Sequence, residues 1–295
     1  MSATGLTRKV LLVDGNNILV RSVFAMRHAP LDADGIPTGA LMTYINMLSK
    51  YVRQVQPDFM VVCWDGGKSA HRVAIDPLYK VERSIRPDVE EPDRPFAQAK
   101  EFLTLAGIHH VERPNVEADD LIAAYWRRKA STDRVFILSG DKDFLQLLDG
   151  WTEQIRPGAG LEERWTANRV RSDLGCRASD LASVMALTGD ASDNVPGIHG
   201  FGAKTACKVL AKYDWDLDKA VAIDPKLLGQ GDRVRRNYAL VNLQADIPGT
   251  EVGPLPYFRP TTRISAAYHD LERYLLRYKL SAAQHRLTSG TLWGE

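Results

Sequence analysis

Three short apolar runs punctuate the first half of the chain, and each stops at an acid. "KVLLVDG" ends at Asp14, "DFMVVCWDGG" carries Asp65, and "RVFILSGDKD" leads into Asp141 and Asp143. Around them, helix-like patterns run through "TGALMTYINMLSKYVRQV", "RPFAQAKEFLTLAG" and "EADDLIAAYWRRKA". Uninterrupted hydrophobic strands interleaved with helices predict an α/β fold, with a mainly parallel central sheet covered by helices on both faces. In such sheets the ligand crevice lies beyond the carboxyl ends of the strands, where all three runs place an acid. One aspartate there is commonly a turn former or a cap. Three in one sheet, each followed by glycine or by a second aspartate, exceed what turns require.

The helix pattern before the third run raises the same question. "NVEADDLIA" puts Glu117, Asp119 and Asp120 within four positions, with Asn115 placed to cap the first turn. The positive end of the helix dipole favours one acid there by about 0.3–1 kcal/mol. A third acid repels its neighbours unless something positive sits between them. "LTGDASDNVPG" then adds Asp190 and Asp193, making nine acids with Asp14, Asp65, Glu117, Asp119, Asp120, Asp141 and Asp143. Carboxylate oxygens without accompanying His or Cys suit Mg²⁺ or Mn²⁺ rather than zinc. Two such ions about 3.5–4 Å apart are the usual arrangement for in-line attack on a phosphodiester. No Ser-His-Asp arrangement is evident, and His71, His109 and His110 read as surface or packing residues.

Nine carboxylates around two divalent ions leave a formal charge of about −5, hostile to a phosphate, so cations must reach the site. "KSAHRVAIDPLYKVERSIRP" supplies Lys68, Arg72, Lys80, Arg83 and Arg86, with Lys80 and Arg83 on one face if the segment is helical. A second basic element follows in "NVPGIHGFGAKTACKVLAKY". Gly197, Gly200 and Gly202 precede a helix on which Lys204, Lys208 and Lys212 recur every four residues. Glycines allow close backbone approach, and free N–H groups at a helix start favour an anion. Contacts of this kind recognise duplex shape rather than base sequence, and binding through them depends strongly on salt.

Composition changes this picture little. The 295 residues suffice for one large or two smaller domains, and a formal net charge of +1 leaves any basic surface to charge placement. Cys63, Cys176 and Cys207 form no C-x-x-C pair, the amino terminus has no apolar signal region, and no apolar run is long enough to span a bilayer. A cytoplasmic protein with no membrane attachment is expected. Without a heptad or a large apolar stripe, monomer is the default. "DGNN" and "WDGG" are not G-x-G-x-x-G, and strand-end acids repel a pyrophosphate, so a dinucleotide site is excluded.

Taken in order, "EADD", "DKDFLQLL" and "TGDASDNVPGIHGFGAKTA" resemble the motifs of the structure-specific 5′ nucleases. This 5′-3′ exonuclease and flap endonuclease family includes the amino-terminal domain of bacterial DNA polymerase I and stand-alone bacterial enzymes. The resemblance runs from "LLVDGNNILVRSVFA" to at least "LVNLQADIP", with departures at Val20, His71 and Ala203. It implies that the nine acids are metal-site residues and that Arg21, Arg72, Lys80 and Arg83 act near the scissile phosphate. It also implies a helical arch over about residues 66–100, a gateway for a single-stranded 5′ end. Residues 190–212 would form a helix–hairpin–helix element where backbone carbonyls hold a potassium ion beside duplex DNA.

The expected division is a PIN-like nuclease core over residues 1–175 and a mainly helical region over 176–295, ending in a helix or two within "HDLERYLLRYKLSAAQHRL". The expected substrates are DNA with 5′ flaps, free 5′ ends or nicks, in replication and repair. No polymerase domain follows, so such a nuclease is expected to act alone or to borrow a separate DNA polymerase as partner, and to be nucleoid-associated. Two alternatives stay open: a PIN-like ribonuclease, and a DNA-structure-binding protein whose metal site is vestigial.

Overall fold

The computed structural model describes residues 7–25, 38–81, 94–158 and 161–294. A six-stranded sheet, in the order β3-β2-β1-β4-β5-β6, forms its centre. β1 (Lys9–Asp14), β2 (Phe59–Trp64), β3 (His110–Glu112), β4 (Arg134–Leu138) and β5 (Thr152–Arg156) are parallel, and β6 (Glu163–Trp165) is an antiparallel edge. The three acid-bearing strands are therefore the three central neighbours, β2-β1-β4. The mainly parallel α/β sheet predicted from the apolar runs is the fold observed.

Side-chain alternation divides the sheet between two cores. Leu11, Val13, Met60, Val62, Trp64, Phe136 and Leu138 face α1 (Gly15–Ala25), α2 (Gly39–Val55) and α4 (Arg94–Leu105). Val10, Leu12, Val61, Cys63, Val135 and Ile137 face α5 (Ala118–Arg127). α1 starts directly after β1, and Gly15 permits it: a Cβ there would lie 2.7 Å from the indole of Trp64.

A third core lies beyond the carboxyl edge of the sheet. It joins Tyr79 and the 3-10 helix Lys142–Leu147 to α6 (Ala167–Leu174), α7 (Leu181–Thr188), α8 (Ala203–Lys212), α9 (Leu217–Ile223) and α10 (Gly231–Val241). Between α7 and α8 runs a two-residue ladder, β7 (Gly189–Asp190) with β8 (Val195–Pro196). The two terminal helices, α11 (Tyr268–Arg277) and α12 (Ser281–Thr288), pack elsewhere. Leu271, Tyr274, Leu275 and Leu287 enter the first core beside α2 and α4, although they follow residue 176 in sequence.

Between α3 (Ala70–Ile75) and α4 the described chain is not one continuous helix. Residues 77–80 form a turn, Lys80 has a left-handed φ of 50°, and the predicted Lys80–Arg83 helix face does not extend back through Lys80. Arg83, Arg86 and the rest of 82–93, including the middle of the expected arch, lie outside the described residues.

The packing of α11 makes a direct prediction. Leu275 is fully buried and Leu276 is 53% exposed. Leu275→Ala should cost about 2–5 kcal/mol through the cavity it leaves. Leu276→Ala should stay within about 0.5 kcal/mol of the parent. Urea unfolding followed by circular dichroism measures both.

Candidate metal centre

The alternation that builds the cores also aims the acids. Asp14 shares the α5 side of β1 with Val10 and Leu12, and Asp65 continues the Val61–Cys63 side of β2. Ser139 does the same for Val135 and Ile137 of β4. Hydrogen bonds tie these strand ends together. Ser139 Oγ donates to Asp14 Oδ2 at 2.8 Å, and the Asn17 amide donates to Asp14 Oδ1 at 2.9 Å. The Asp141 amide donates to Ser139 Oγ at 3.0 Å. Asn16 accepts from the Asp65 amide, and Asn17 accepts from the Gly140 amide. Gln154, one strand further along, donates to the carbonyls of Ser139 and Asp141.

The start of α5 meets this row. Asp65 Oδ1 accepts from the Ala118 amide at 2.8 Å, so the helix is capped from across the sheet rather than by Asn115. Asn115 instead adopts a left-handed φ of 60° and exchanges backbone bonds with Gly66 and Ala70. Glu117, Asp119 and Asp120 follow, with carboxylate oxygens within 4.8 Å of one another. Behind them lies Arg72, 1% exposed. Its guanidinium grips Asp120 with two bonds of 2.6 and 2.7 Å, reaches Glu117 at 3.0 Å, and donates from Nε to the Leu240 carbonyl. Lys80 Nζ donates to Glu117 Oε1 at 2.7 Å and lies 3.6 Å from Asp193 Oδ2. Tyr79 OH bridges the same two acids at 2.9 and 3.2 Å. The left-handed turn at Lys80 costs about 1–2 kcal/mol and is held by its amide donating to the Asp193 carbonyl.

The remaining acids close the ring. Asp141 caps the 3-10 helix by accepting from the Asp143 amide at 3.0 Å, so Asp143 sits on that helix rather than at a strand end. Asp190 Oδ2 is 3.0 Å from Lys142 Nζ, while its Oδ1 accepts from Ser192. Burial pushes the Asp14 carboxyl up to about 7, aided by the charges of Asp65 and Asp141. Burial also raises Glu117, Asp141 and Asp143, each with other acids of the group adding to the shift. Burial and Asp119 push Asp120 up to about 7 against the pull of Arg72. Asp190 differs: burial raises it, but Ser192 and Lys142 together hold it below the ordinary range.

These carboxylates raise one another's proton affinity, and Asp143 Oδ1 is buried without a hydrogen-bond partner. Such an oxygen is costly unless a cation or proton meets it. An all-oxygen donor set with an unmet buried oxygen fits Mg²⁺ or Mn²⁺.

The sequence-derived cations take different places. Arg72 and Lys80 are inside the acid cluster, whereas Arg21 is exposed, donating to Asn17 Oδ1 and the Pro157 carbonyl. A Cβ at residue 140 would lie 2.3 Å from the Arg21 guanidinium, so Gly140 leaves room for it. Of the glycines before α8, Gly197 packs inward, where a Cβ would meet the Thr188 carbonyl oxygen at 2.1 Å. Gly200 and Gly202 have open space, and Gly202 opens α8 with no side-chain cap. Lys204, Lys208 and Lys212 are all exposed, and Lys212 lies 3.9 Å from Asp224. His110 bonds Thr104 and His109 bonds Tyr125, as expected of packing residues. Sequence reasoning missed Tyr79, Asn16, Asn17, Ser139, Gln154 and Lys142. Only "DGNN" and "DKD", which hold or adjoin the acids, offered a signal for some of them.

Residues 9–175 match the 5′-3′ exonuclease N-terminal resolvase-like domain, and residues 176–255 match the 5′-3′ exonuclease C-terminal SAM fold. The 5′-3′ exonuclease of Aquifex aeolicus is 37% identical over 209 residues, covering 70% of this chain and 70% of the relative. DNA polymerase I of Lactococcus lactis subsp. cremoris is 34% identical over 214 residues, covering 70% of this chain. This chain spans 24% of that polymerase's length. Among solved structures, the flap endonuclease of bacteriophage T5, in complex with DNA and metal ions, superposes with a TM-score of 0.69. That similarity covers 80% of this chain and 90% of the phage protein at 21% identity, and it concerns the fold. The chain belongs to the 5′-3′ exonuclease family, a family of nucleases. Among the described residues, no helix is long and apolar enough to cross a membrane.

Two outcomes follow from the charge balance. Arg72→Gln leaves Asp120 and Glu117 buried without their counter-ion and should cost about 3–5 kcal/mol in urea unfolding. The raised Asp14 pKa contributes stability that is present below its unfolded value of 3.8 and lost as pH rises through about 7. Saturating Mg²⁺, which binds the ionised form, should therefore raise the melting temperature more at about pH 8 than at about pH 5.5. Differential scanning calorimetry with and without chelator checks the sign.

Proposed function

We propose that the protein is a structure-specific 5′ nuclease. It hydrolyses DNA phosphodiesters at 5′ flaps and at free 5′ ends or nicks, in replication and repair, using two or more Mg²⁺ or Mn²⁺ ions. The observation that carries this reading is the meeting of the acids from three neighbouring strand ends with those of α5 and the β7 turn, around the buried, unpartnered Asp143 Oδ1. A purely DNA-binding protein gains nothing from such repulsion beside a polyanion. When bound, the ions would supply a polarised water and positive charge for the phosphoryl oxygens.

The chain's own residues prepare that chemistry. Asp14, Asp65, Glu117, Asp119, Asp120, Asp141, Asp143, Asp190 and Asp193 would hold the ions, some through water. Arg72 positions Glu117 and Asp120 from behind and touches no substrate. Lys80, now bonded to Glu117, and Arg21 would each meet a phosphate oxygen. Arg83 is assigned the same role from the sequence motif. Gly200 and Gly202 with the α8 amides, and Lys204, Lys208 and Lys212, would hold the duplex backbone, leaving base sequence unread. The expected division, a nuclease core to about residue 175 and a mainly helical DNA-binding region beyond it, is part of this proposal.

The test is cleavage of a 5′-flap duplex, labelled in turn at each end of the flap strand, with Mg²⁺, Mn²⁺ or chelator, beside a matched RNA flap. Wild-type protein should cut the DNA only with metal, and the Asp141→Asn/Asp143→Asn double variant should lose at least about 100-fold in rate while binding DNA as well or better. Retained cleavage in the variant would remove the metal-centre account. Preference for the RNA flap would move the reading to a ribonuclease, and binding without cleavage under any metal would mark a vestigial site.

A further inference from the structure

The row of strand ends does not stop at the acids. Read along the carboxyl edge of the sheet, β2, β1 and β4 lead into Asp65, Asp14 and Asp141, and β5 ends in Arg156. Ile155 faces the α2 side and Gln154 pairs with Ile137 of the α5 side, so alternation turns Arg156 toward the side that holds the acids. The row thus changes sign one strand beyond the metal acids, about 4.7–4.9 Å away.

Arg156 is poorly explained by the fold. Its Nε donates to Gln154 Oε1 at 3.2 Å, and its guanidinium lies 4.8 Å from the centre of the Trp165 ring. Its Nη2 is buried without a hydrogen-bond partner, and among the described residues it forms no salt bridge. Arg169 stacks on the same indole at 4.2 Å but has acids of its own, Asp173 at 3.2 Å and Glu163 at 3.9 Å. Arg21 closes the group from the other side, bonding the carbonyl of Pro157, the residue after Arg156. Burial is the main influence against the protonated form of Arg156; the charges of Glu163 and Asp141 favour it, and those of Arg169 and Arg21 oppose it. A buried guanidinium N–H with no partner, beside two further cations, calls for an anion to meet it.

We infer that Arg156, together with Arg21, forms a phosphate subsite at the β5 edge that binds a backbone phosphodiester of the nucleic-acid strand next to the metal acids. The inference rests on the nuclease reading and adds a residue outside the motifs that led to it. The guanidinium fork suits two phosphate oxygens, and the Trp165 ring supports it at 4.8 Å.

The experiment compares wild-type protein, Arg156→Gln, Arg156→Lys and Arg169→Gln in binding a 5′-flap duplex in Ca²⁺ over a range of salt concentrations. Each is also titrated with flap strands carrying one neutral methylphosphonate at successive linkages around the junction. Arg156→Gln should lower the slope of log affinity against log salt by about 0.7–0.9, the value for one phosphate contact. Arg169→Gln should keep the wild-type slope. Wild-type protein should lose affinity at one particular neutral linkage, and Arg156→Gln should lose nothing more there. Arg156→Lys should keep the slope but bind more weakly, because a point charge replaces the fork. An unchanged slope and linkage profile in Arg156→Gln, with wild-type protein cutting the flap, would overturn the subsite alone. A wild-type protein that neither binds nor cuts the flap would overturn the nuclease reading with it. Should Arg156→Gln fail to fold, the Arg156→Lys slope and the wild-type linkage profile still decide: absence of any sensitive linkage overturns the proposal.

Discussion

Everything at the carboxyl edge of the sheet depends on holding like charges together. Most of the acids are buried or half-buried in one cleft where several raise the proton affinity of their neighbours, and two cations from the chain span those around Glu117. Arg72 locks Asp120 and Glu117 from behind, and Lys80 spans Glu117 and Asp193. The two differ in permanence. Arg72 is fully enclosed and also anchored to the Leu240 carbonyl on α10, so it joins the acids at the start of α5 to the helical layer. Lys80 hangs on a left-handed turn with its ammonium pointing into the cleft, a place a divalent ion can contest.

Much of this was legible in the sequence because the signals were simple. The apolar runs of β1, β2 and β4 are hydrophobic on both faces, as central parallel strands must be, and acids at their ends are one residue type repeated. The last two strands of the sheet escaped notice for the converse reason: "TEQIR" of β5 and the three residues of the edge strand β6 carry no apolar run. The helix cap at α5 was assigned to its nearest neighbour, Asn115, when the cap is Asp65, fifty-three positions away. Side-chain bonds between distant strands leave no periodicity behind them, and so Gln154, Ser139 and Tyr79 were invisible too.

Arg72 shows a second limit of the same kind. Sequence places it among basic residues destined for phosphate, since charge and spacing are all that can be read. The fold buries it to 1% exposure, where it orders the acids. Gly197, Gly200 and Gly202 divide similarly. The first permits a backbone crossing at the β7–β8 ladder, and only the other two leave open space before α8. Along the sheet edge the sign then reverses from Asp141 to Arg156, one strand further on.

The claim on which the account stands is that divalent cations belong among these carboxylates. Anomalous diffraction from crystals equilibrated with Mn²⁺ tests it most directly. The account predicts Mn²⁺ peaks in the cleft, at least one contacting Asp143 Oδ1, with Lys80 withdrawn from Glu117. Crystals that hold Mn²⁺ elsewhere but show none among the acids, with Lys80 still bonded to Glu117, would contradict it.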